Sequence, residues 1–261
     1  MKWMFVLALM SSSVFAADIN LSNISKNDLK DISNELGANF AHTVVAAPET
    51  NGLWGVEVGV VGGTTKSDNL KKVINRNGGD GNDFDTLPHG GLFARGHFPL
   101  ELFLELSMIP EVKASDAELS SGSLGVGWNF GEFFTLPFDL AIGYNMSKSN
   151  FEYKQLINGF DSKVEFKNKT DVFWLGISEE FLGLLTPYAK IGTFSTKSDV
   201  DVTSNGGTIF GYTAAQKDSV SSSGAYYAVG LNFQLTVIRL GIEAAKTNDV
   251  SSLTGKLALA F

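Results

Sequence analysis

Three histidines, His42, His89 and His97, are the first residues to consider for catalysis, because imidazole is the commonest general base. A base activates a hydroxyl nucleophile only within hydrogen-bond reach. His89 precedes two glycines and His97 precedes Phe-Pro, so neither forms a His-x-Ser pair, and no histidine belongs to an Asp-x-His motif. The sequence therefore predicts no catalytic residue and no enzyme. A lipid-active hydrolase that uses His89 or His97 stays open as an alternative.

One acidic segment could bind a cation. Residues 80–85 carry three aspartates, and carboxylate oxygens are the ligands that Ca²⁺ prefers. The spacing lacks the glutamate at position 12 of an EF-hand loop, which favours a solvated loop instead. The chain contains no cysteine. We therefore predict no metal site and no cofactor.

The overall charge excludes one class of partner. The formal net charge is −8, and lysines and arginines form no basic patch. Binding to nucleic acid needs clustered basic residues that contact phosphates. The sequence thus argues against a nucleic-acid partner.

Apolar residues alternate with small or polar ones from position 53 to the end of the chain. In the first run Trp54 and three valines lie on one face, and Gly55, Glu57 and Gly59 lie on the other. A period of two is the pattern of a β-strand. We count ten such runs. Eight or twelve strands are possible, because the run near 185–198 is weak and the long loops could be reassigned.

The connections between runs alternate in length. Short ones lie near 99, 131–136, 182–186 and 235–236, and long polar ones lie at 64–88, 150–163 and 199–218. The first long connection has a short helical pattern within 67–76. Transmembrane barrels have an even number of strands, short periplasmic turns and longer outer loops.

The faces opposite the apolar residues carry too many charges for a dry core, because each unpaired buried charge costs several kcal/mol. A soluble sandwich would bury one face in such a core. A polar lumen removes that cost, and in lipid only a closed barrel satisfies the backbone of strands. Mixed signs predict pairing across the lumen rather than a selectivity ring. The predicted lumen charges are Glu57, Arg95, His97, Glu101, Glu105, Asp139, Lys190, Arg239, Glu243 and Lys256.

Aromatic residues gather at the short-turn ends of the runs, where an interfacial girdle would lie. The predicted girdle consists of Trp54, Phe98, Trp128, Phe130, Phe138, Phe181, Phe233 and Phe261.

The first 17 residues have the pattern of a secretory signal peptide. Lys2 precedes an apolar run of eight residues, and Ala16 and Ala17 offer a cleavage site. The run is too short to span a membrane.

Residues 18–50 form the one region with a helical period. Ser25 and Asp28 have the spacing of a capping pair, and the apolar residues Leu29, Ile32, Leu36 and Phe40 follow on one face. We expect a short amphipathic helix at or in the periplasmic mouth. Insertion into the lumen is the alternative, although barrels of about eight strands are already filled by side chains and ten strands are only a little wider. The barrel itself would comprise residues 51–261.

The last strand carries a resemblance to a known class of proteins. It ends on an aromatic, and Thr254, Leu259 and Phe261 match the C-terminal assembly signal of bacterial outer-membrane β-barrels, with Gly255 one place early. The whole chain resembles small barrel families of Gram-negative bacteria and, distantly, the fatty-acid transporters with an N-terminal hatch. The resemblance implies an outer-membrane location, a lipid bilayer as surroundings, and the barrel assembly machinery as a partner of the C-terminal strand.

The sequence thus favours an all-β fold, a closed antiparallel transmembrane barrel of about ten strands with a short N-terminal helix. We expect a non-catalytic protein with a narrow charged lumen, in a structural role or as a channel for a small solute. The alternative is recognition of a surface ligand, or adhesion, through the three long loops.

Overall fold

The computed structural model describes residues 25–41, 44–49, 54–76, 85–114, 117–134, 136–157, 160–204, 208–209, 212–213 and 216–261. The predicted signal peptide, His42 and residues 80–84 of the acidic segment lie outside these ranges. Within them, no helix is long and apolar enough to cross a membrane.

Ten long antiparallel strands form the wall, and a separate hairpin, β8 (Thr208–Ile209) and β9 (Tyr212–Thr213), lies between two of them. The wall strands are β1 (Gly55–Lys66), β2 (Thr86–Phe98), β3 (Leu102–Ala114), β4 (Ala117–Asn129), β5 (Asp139–Ile157), β6 (Phe160–Ser178), β7 (Leu185–Ser204), β10 (Gln216–Leu235), β11 (Ile238–Thr247) and β12 (Val250–Ala260).

The sheet closes between its first and last strands. β1 pairs with β12 from Glu57↔Ala260 to Thr65↔Ser252, and every other wall strand pairs with its neighbours along the chain. The terminal Phe261 completes the closure, since it exchanges two backbone hydrogen bonds of 2.9 and 3.0 Å with Val56. The predicted fold class and the predicted number of strands are confirmed.

The outer face of the barrel is apolar. Outward residues of β1, such as Val56, Val58 and Val60, are exposed, whereas Glu57 and Val61 on the opposite face are buried in the lumen. The same alternation exposes leucines, isoleucines and aromatics on the other strands. So large an apolar surface is not stable in water. These outward residues form a continuous apolar band around the barrel, which is what a membrane-spanning barrel requires.

Aromatic residues lie at two levels of this band. At the short-turn ends the predicted Trp54, Phe98, Trp128, Phe181 and Phe261 are exposed, and Phe130, Phe138 and Phe233 are half-buried. A second, exposed set lies further toward the long connections, and the sequence interpretation missed it: Tyr144, Phe173 and Tyr227.

Two of the expected loops are largely strand. β5, β6, β7 and β10 have 19 to 20 residues, whereas about 9–11 cross a bilayer. Their outer halves therefore extend beyond the apolar band and occupy most of 150–163 and part of 199–218. Polar composition suggested loops there, but salt bridges stabilise the extensions, such as Lys163–Glu152 at 2.6 Å and Lys217–Asp201 at 3.2 Å. The run near 185–198 is a full strand.

Two α-helices accompany the barrel in the described part of the chain. Helix α1 (Lys26–Phe40) begins with the predicted capping pair, since Asp28 N donates to Ser25 Oγ at 3.2 Å and Ser25 N donates to the Asp28 carboxylate at 2.8 Å. Helix α2 (Asp68–Arg76) lies where a short helix was expected, in the connection between β1 and β2.

Helix α1 lies inside the barrel, not at the short-turn mouth. Its apolar face is buried against β6, β7 and α2, and residues 44–49 continue through the lumen toward the short turns. The expected position of the helix is therefore wrong. Small residues make room for it: a methyl group on Gly37 would clash with Thr196, and one on Gly241 would lie 2.9 Å from Val45. We call residues 25–41 and 44–49 the plug.

Candidate functional site in the barrel lumen

The inner wall at the short-turn half carries a cluster of buried ion pairs. Eight of the ten predicted lumen residues face inward and are buried; Glu101 lies in the Pro99–Glu101 turn and Asp139 begins β5, both half-buried at the rim. The pairs are Glu57–Lys256 at 2.8 Å, Glu57–Arg239 at 3.4 Å, Arg95–Glu105 at 3.4 Å and Lys190–Glu243 at 2.9 Å.

These pairs run along the wall and not across the lumen as expected. Each pair joins two adjacent strands or two strands with a single strand between them. Arg95–Glu105, for example, joins the adjacent strands β2 and β3. The physical reason is that the plug occupies the middle of the barrel, so the opposite walls never approach each other. The charges therefore surround the plug.

Glu49 of the plug completes the cluster. Its carboxylate pairs with Arg239 at 3.1 Å and accepts a hydrogen bond from Asn232 Nδ2 at 3.2 Å. The wall alone contributes three of the carboxylates in these pairs, Glu57, Glu105 and Glu243, against four cations. Glu49 is the fourth carboxylate, which the sequence interpretation did not include.

The backbone of the plug is held by the wall as well. Arg95 donates to the Ala47 carbonyl at 3.4 Å, Ser178 donates to the Pro48 carbonyl, and Asn129 donates to the Glu49 carbonyl. Three consecutive peptide carbonyls thus have partners inside the barrel. A buried backbone acceptor without a partner would be costly, so these bonds fix the path of residues 44–49.

A second polar group surrounds Glu243. Tyr188 Oη and Lys190 Nζ donate to its carboxylate at 2.8 and 2.9 Å, and Lys190 lies 5.1 Å from the ring of Trp174. Trp174 Nε1 in turn donates to Asn145 at 2.8 Å. The network holds this part of the wall in one arrangement, since all five of these polar side chains have hydrogen-bond partners within it.

An apolar cluster lies in the long-loop half of the lumen. Leu29, Ile32, Leu36 and Phe40 of the plug form one buried cluster with inward residues of the wall and with α2. Burial of each such side chain contributes about 1.5–3 kcal/mol. The wall and α2 residues of the cluster are Val73, Leu87, Val164, Phe166, Val200 and Val202.

Polar contacts join the plug to the outer connections. The Glu35 carboxylate accepts hydrogen bonds from the backbone N–H groups of Asn69 at 2.7 Å and Leu70 at 3.0 Å, in the first turn of α2. Asp28 pairs with Arg76 at 2.5 Å, and Asn34 accepts from Asn248 at 3.1 Å. Glu35 is not part of the predicted apolar face of the helix, but it is buried, because α2 covers it.

The wall has an unpaired stretch between β2 and β3. The two strands have 13 residues each, but only Leu92–Phe98 of β2 pairs with Leu102–Met108 of β3. Residues 86–91 and 109–114 pair only with β1 and β4 on their other sides, and β3 shifts register between Ile109 and Val112. Pro88 and Pro110 lie in these edges, and proline cannot donate a ladder hydrogen bond.

The end of α1 seals this gap from inside. Asn39 and Phe40 line it together with Gly91, Met108 and Ile109, and the enclosed space is about 10 Å³, room for one water at most. Asn39 Nδ2 donates to the Pro88 carbonyl at 3.3 Å. The opening is thus present in the sheet but closed by the plug.

His89 faces inward beside the gap. It lies 2.8 Å from Thr254 Oγ1 through Nε2 and 3.1 Å from Asn39 Oδ1 through Nδ1. Thr65 Oγ1 lies 3.3 Å from Nδ1. Because Asn39 Oδ1 can only accept, these contacts are satisfied when Nδ1 carries the proton and Nε2 accepts from the Thr254 hydroxyl. His97 is buried 6.4 Å from the Phe103 ring. The described residues contain no group of three or more potential metal ligands.

Comparison with protein families gives one match. The profile of a family of unknown function, DUF6588, matches residues 2–258. The chain belongs to this family. No curated protein matches the sequence.

Several solved barrels are distantly similar to this DUF6588 protein. Ail, the attachment invasion locus protein of Yersinia pestis, is 17% identical with a TM-score of 0.30, over 81% of this chain and 100% of Ail. A Pseudomonas aeruginosa FadL homologue is 10% identical with a TM-score of 0.42, over 76% and 63%. The Pseudomonas putida toluene transporter TodX is 10% identical with a TM-score of 0.36, over 88% and 75%. None of these likenesses carries a functional argument.

Proposed function

We propose that this protein is a non-catalytic barrel of the Gram-negative outer membrane that admits a small, largely apolar solute sideways through the gap between β2 and β3. The plug acts as its gate. The observation that supports this most directly is the unpaired wall at 86–91 and 109–114, with Asn39 and Phe40 of the plug lining its inner side.

The chemistry of the gap favours an apolar solute with a polar group. Phe40, Met108 and Ile109 line it, while Asn39 and His89 offer hydrogen bonds at its inner side. The gap begins just beyond the paired residues Leu92 and Met108, which are exposed, so its end nearer the short turns lies at the apolar band. A solute that passes Phe40 must then displace residues 44–49, so entry and release are separate steps.

Truncation of Phe40 tests the gate. Phe40→Ala removes the seal, and we expect intact Gram-negative cells that produce the variant to take up the apolar dye N-phenylnaphthylamine several times faster than wild type. Leu29→Ala is the matched control, since Leu29 belongs to the same buried cluster but does not line the gap. Equal uptake by both variants would refute a lateral opening at this position.

A lipid-active enzyme has one observation in its favour. Thr254, His89 and Asn39 stand in the order of nucleophile, base and orienting group. Replacing His89 with Gln and Thr254 with Val should leave the lipid composition of the membrane unchanged if the three residues only anchor the plug. Accumulation of uncleaved lipid in both variants would favour the enzyme.

Recognition or adhesion through the outer connections is the other alternative. α2 and the extended strands present polar side chains beyond the apolar band. Removal of residues 77–84 and of the β8–β9 hairpin should leave dye uptake intact under the transport proposal, whereas a receptor would lose its ligand.

A further inference from the structure

Three lysines lie side by side on the outer surface. Lys148 of β5 is directly opposite Lys169 of β6, and Lys169 is directly opposite Lys197 of β7. All three are exposed. Neighbouring strands are about 4.8 Å apart, so the row spans about 10 Å. Like charges directly opposite one another destabilise a sheet. The row therefore lowers the stability of the sheet, and the fold alone does not explain why it is there.

Nearby carboxylates compensate this row only weakly. Lys169 lies 3.8 Å from Asp171, and Lys197 lies 3.6 Å from Asp199. Exposed pairs at such distances contribute between 0 and about 1 kcal/mol. Asp171 also accepts a hydrogen bond from the Tyr144 hydroxyl. The lysine ammonium groups therefore keep most of their capacity to bind an anion.

An anion can reach the row of lysines from the neighbouring strands on either side. Gly122 is opposite Lys148, and Ser221 is opposite Lys197, so small residues flank both ends. No long side chain at these flanking positions screens the ammonium groups.

The height of the row on the barrel identifies the ligand. Tyr144 and Phe173, which pair directly and are exposed, lie four residues nearer the short turns than Lys148 and Lys169. Aromatic side chains of this kind lie at the level of lipid headgroups. The lysines lie two outward positions beyond them, on the long-connection side, where the phosphates of that leaflet would lie.

We propose that Lys148, Lys169 and Lys197 form a binding site for the phosphorylated headgroup of a lipid in this leaflet. Lysine binds phosphate as a point charge, and each basic residue near an anionic membrane surface contributes about 1 kcal/mol, or about fivefold in affinity. The acyl chains would pack on the apolar surface beside Phe173. This site depends on the barrel and not on the transport proposal.

The test compares two sets of lysines in nanodiscs of phosphatidylcholine that contain a minor fraction of lipid A, a phosphorylated lipid. Lipid A that stays bound is measured by native mass spectrometry after release of the protein. The first variant is K148Q/K169Q/K197Q. The control is K154Q/K163Q/K217Q, which removes the same charge further from the band, where each lysine already pairs with a carboxylate.

We expect the first variant to bind lipid A about fivefold more weakly per lysine removed, the control to bind like wild type, and K148R/K169R/K197R to retain binding. Equal binding by the first variant and the control would overturn the site. Displacement of lipid A by inorganic phosphate would also overturn it, since the row would then take a soluble anion.

Discussion

Glu49 in the plug and Arg239 in β11 form a buried ion pair of 3.1 Å between positions 190 residues apart in the chain. Arg239 also lies 3.4 Å from Glu57, which pairs with Lys256. The pair is the link between the plug and the charged wall. Without Glu49, the cluster of ion pairs would hold one positive charge in excess.

Replacing Glu49 with Gln should therefore loosen the plug. Removal of one partner of a buried ion pair costs about 3–5 kcal/mol, because the other charge stays buried. Urea titration of the detergent-solubilised protein measures the loss. Arg239→Gln should cost a similar amount, and the double variant E49Q/R239Q should cost less than the sum of the two. Additive losses would show that the pair does not couple plug and wall.

The contact between Glu35 and α2 predicts a dependence on pH. Burial is the largest influence on this carboxyl and raises its pKa from 4.5 to about 7, against the opposing effect of the Asn69 and Leu70 N–H groups. The folded protein therefore binds this proton more tightly than the unfolded chain. The contribution of Glu35 to the free energy of unfolding should be largest below pH about 4.5 and fall by up to about 3 kcal/mol as pH rises through about 7.

The Glu35→Gln variant should lose this slope, because the amide does not titrate. Asp199→Asn is the control, since that carboxylate is exposed on β7. Unfolding in urea at several pH values checks both variants. A slope that survives in Glu35→Gln would assign the pH dependence to another group.

The close approach of α1 to β7 predicts a steric effect. A methyl group at Gly37 would lie 2.5 Å from Thr196 Oγ1 and 2.8 Å from its Cβ. Gly37→Ala should therefore destabilise the protein by about 1–3 kcal/mol through overpacking, and Thr196→Gly in the same chain should restore part of the loss. Gly62→Ala is the control, because its methyl would meet no atom closer than 4.0 Å. Equal effects of the two alanines would argue against helix α1 in the lumen.

The barrel could be predicted because its signals are local. Alternation places Val56, Val58 and Val60 outward whatever their distant neighbours are, and the last strand ends on Phe261. The inward position of Glu57 follows from the same period. Strand extents were less predictable, because polar strands such as the outer half of β6 gain their stability from partners on β5 and β7.

The site depends on contacts that sequence spacing does not reveal. Glu49 meets Arg239, and Glu35 meets α2, only once the plug has entered the barrel. The radius of an average barrel predicts too little room for the helix, because it leaves out the glycines at positions 37 and 241, which lie against Thr196 and Val45. A signal for the gap was present: Pro88 and Pro110 interrupt adjacent runs at positions where strands need N–H donors.

The most direct test of the plug as a gate is a reversible cross-link between the plug and the wall. Asn34 and Asn248 are hydrogen-bonded at 3.1 Å, and the chain has no cysteine of its own, so N34C/N248C introduces a single reactive pair. Cells that produce this variant should take up N-phenylnaphthylamine when the pair is reduced. Oxidation, or a short bis-maleimide, should lower uptake to that of cells without the protein. Uptake that is the same in the linked and the reduced state would contradict the plug as the gate.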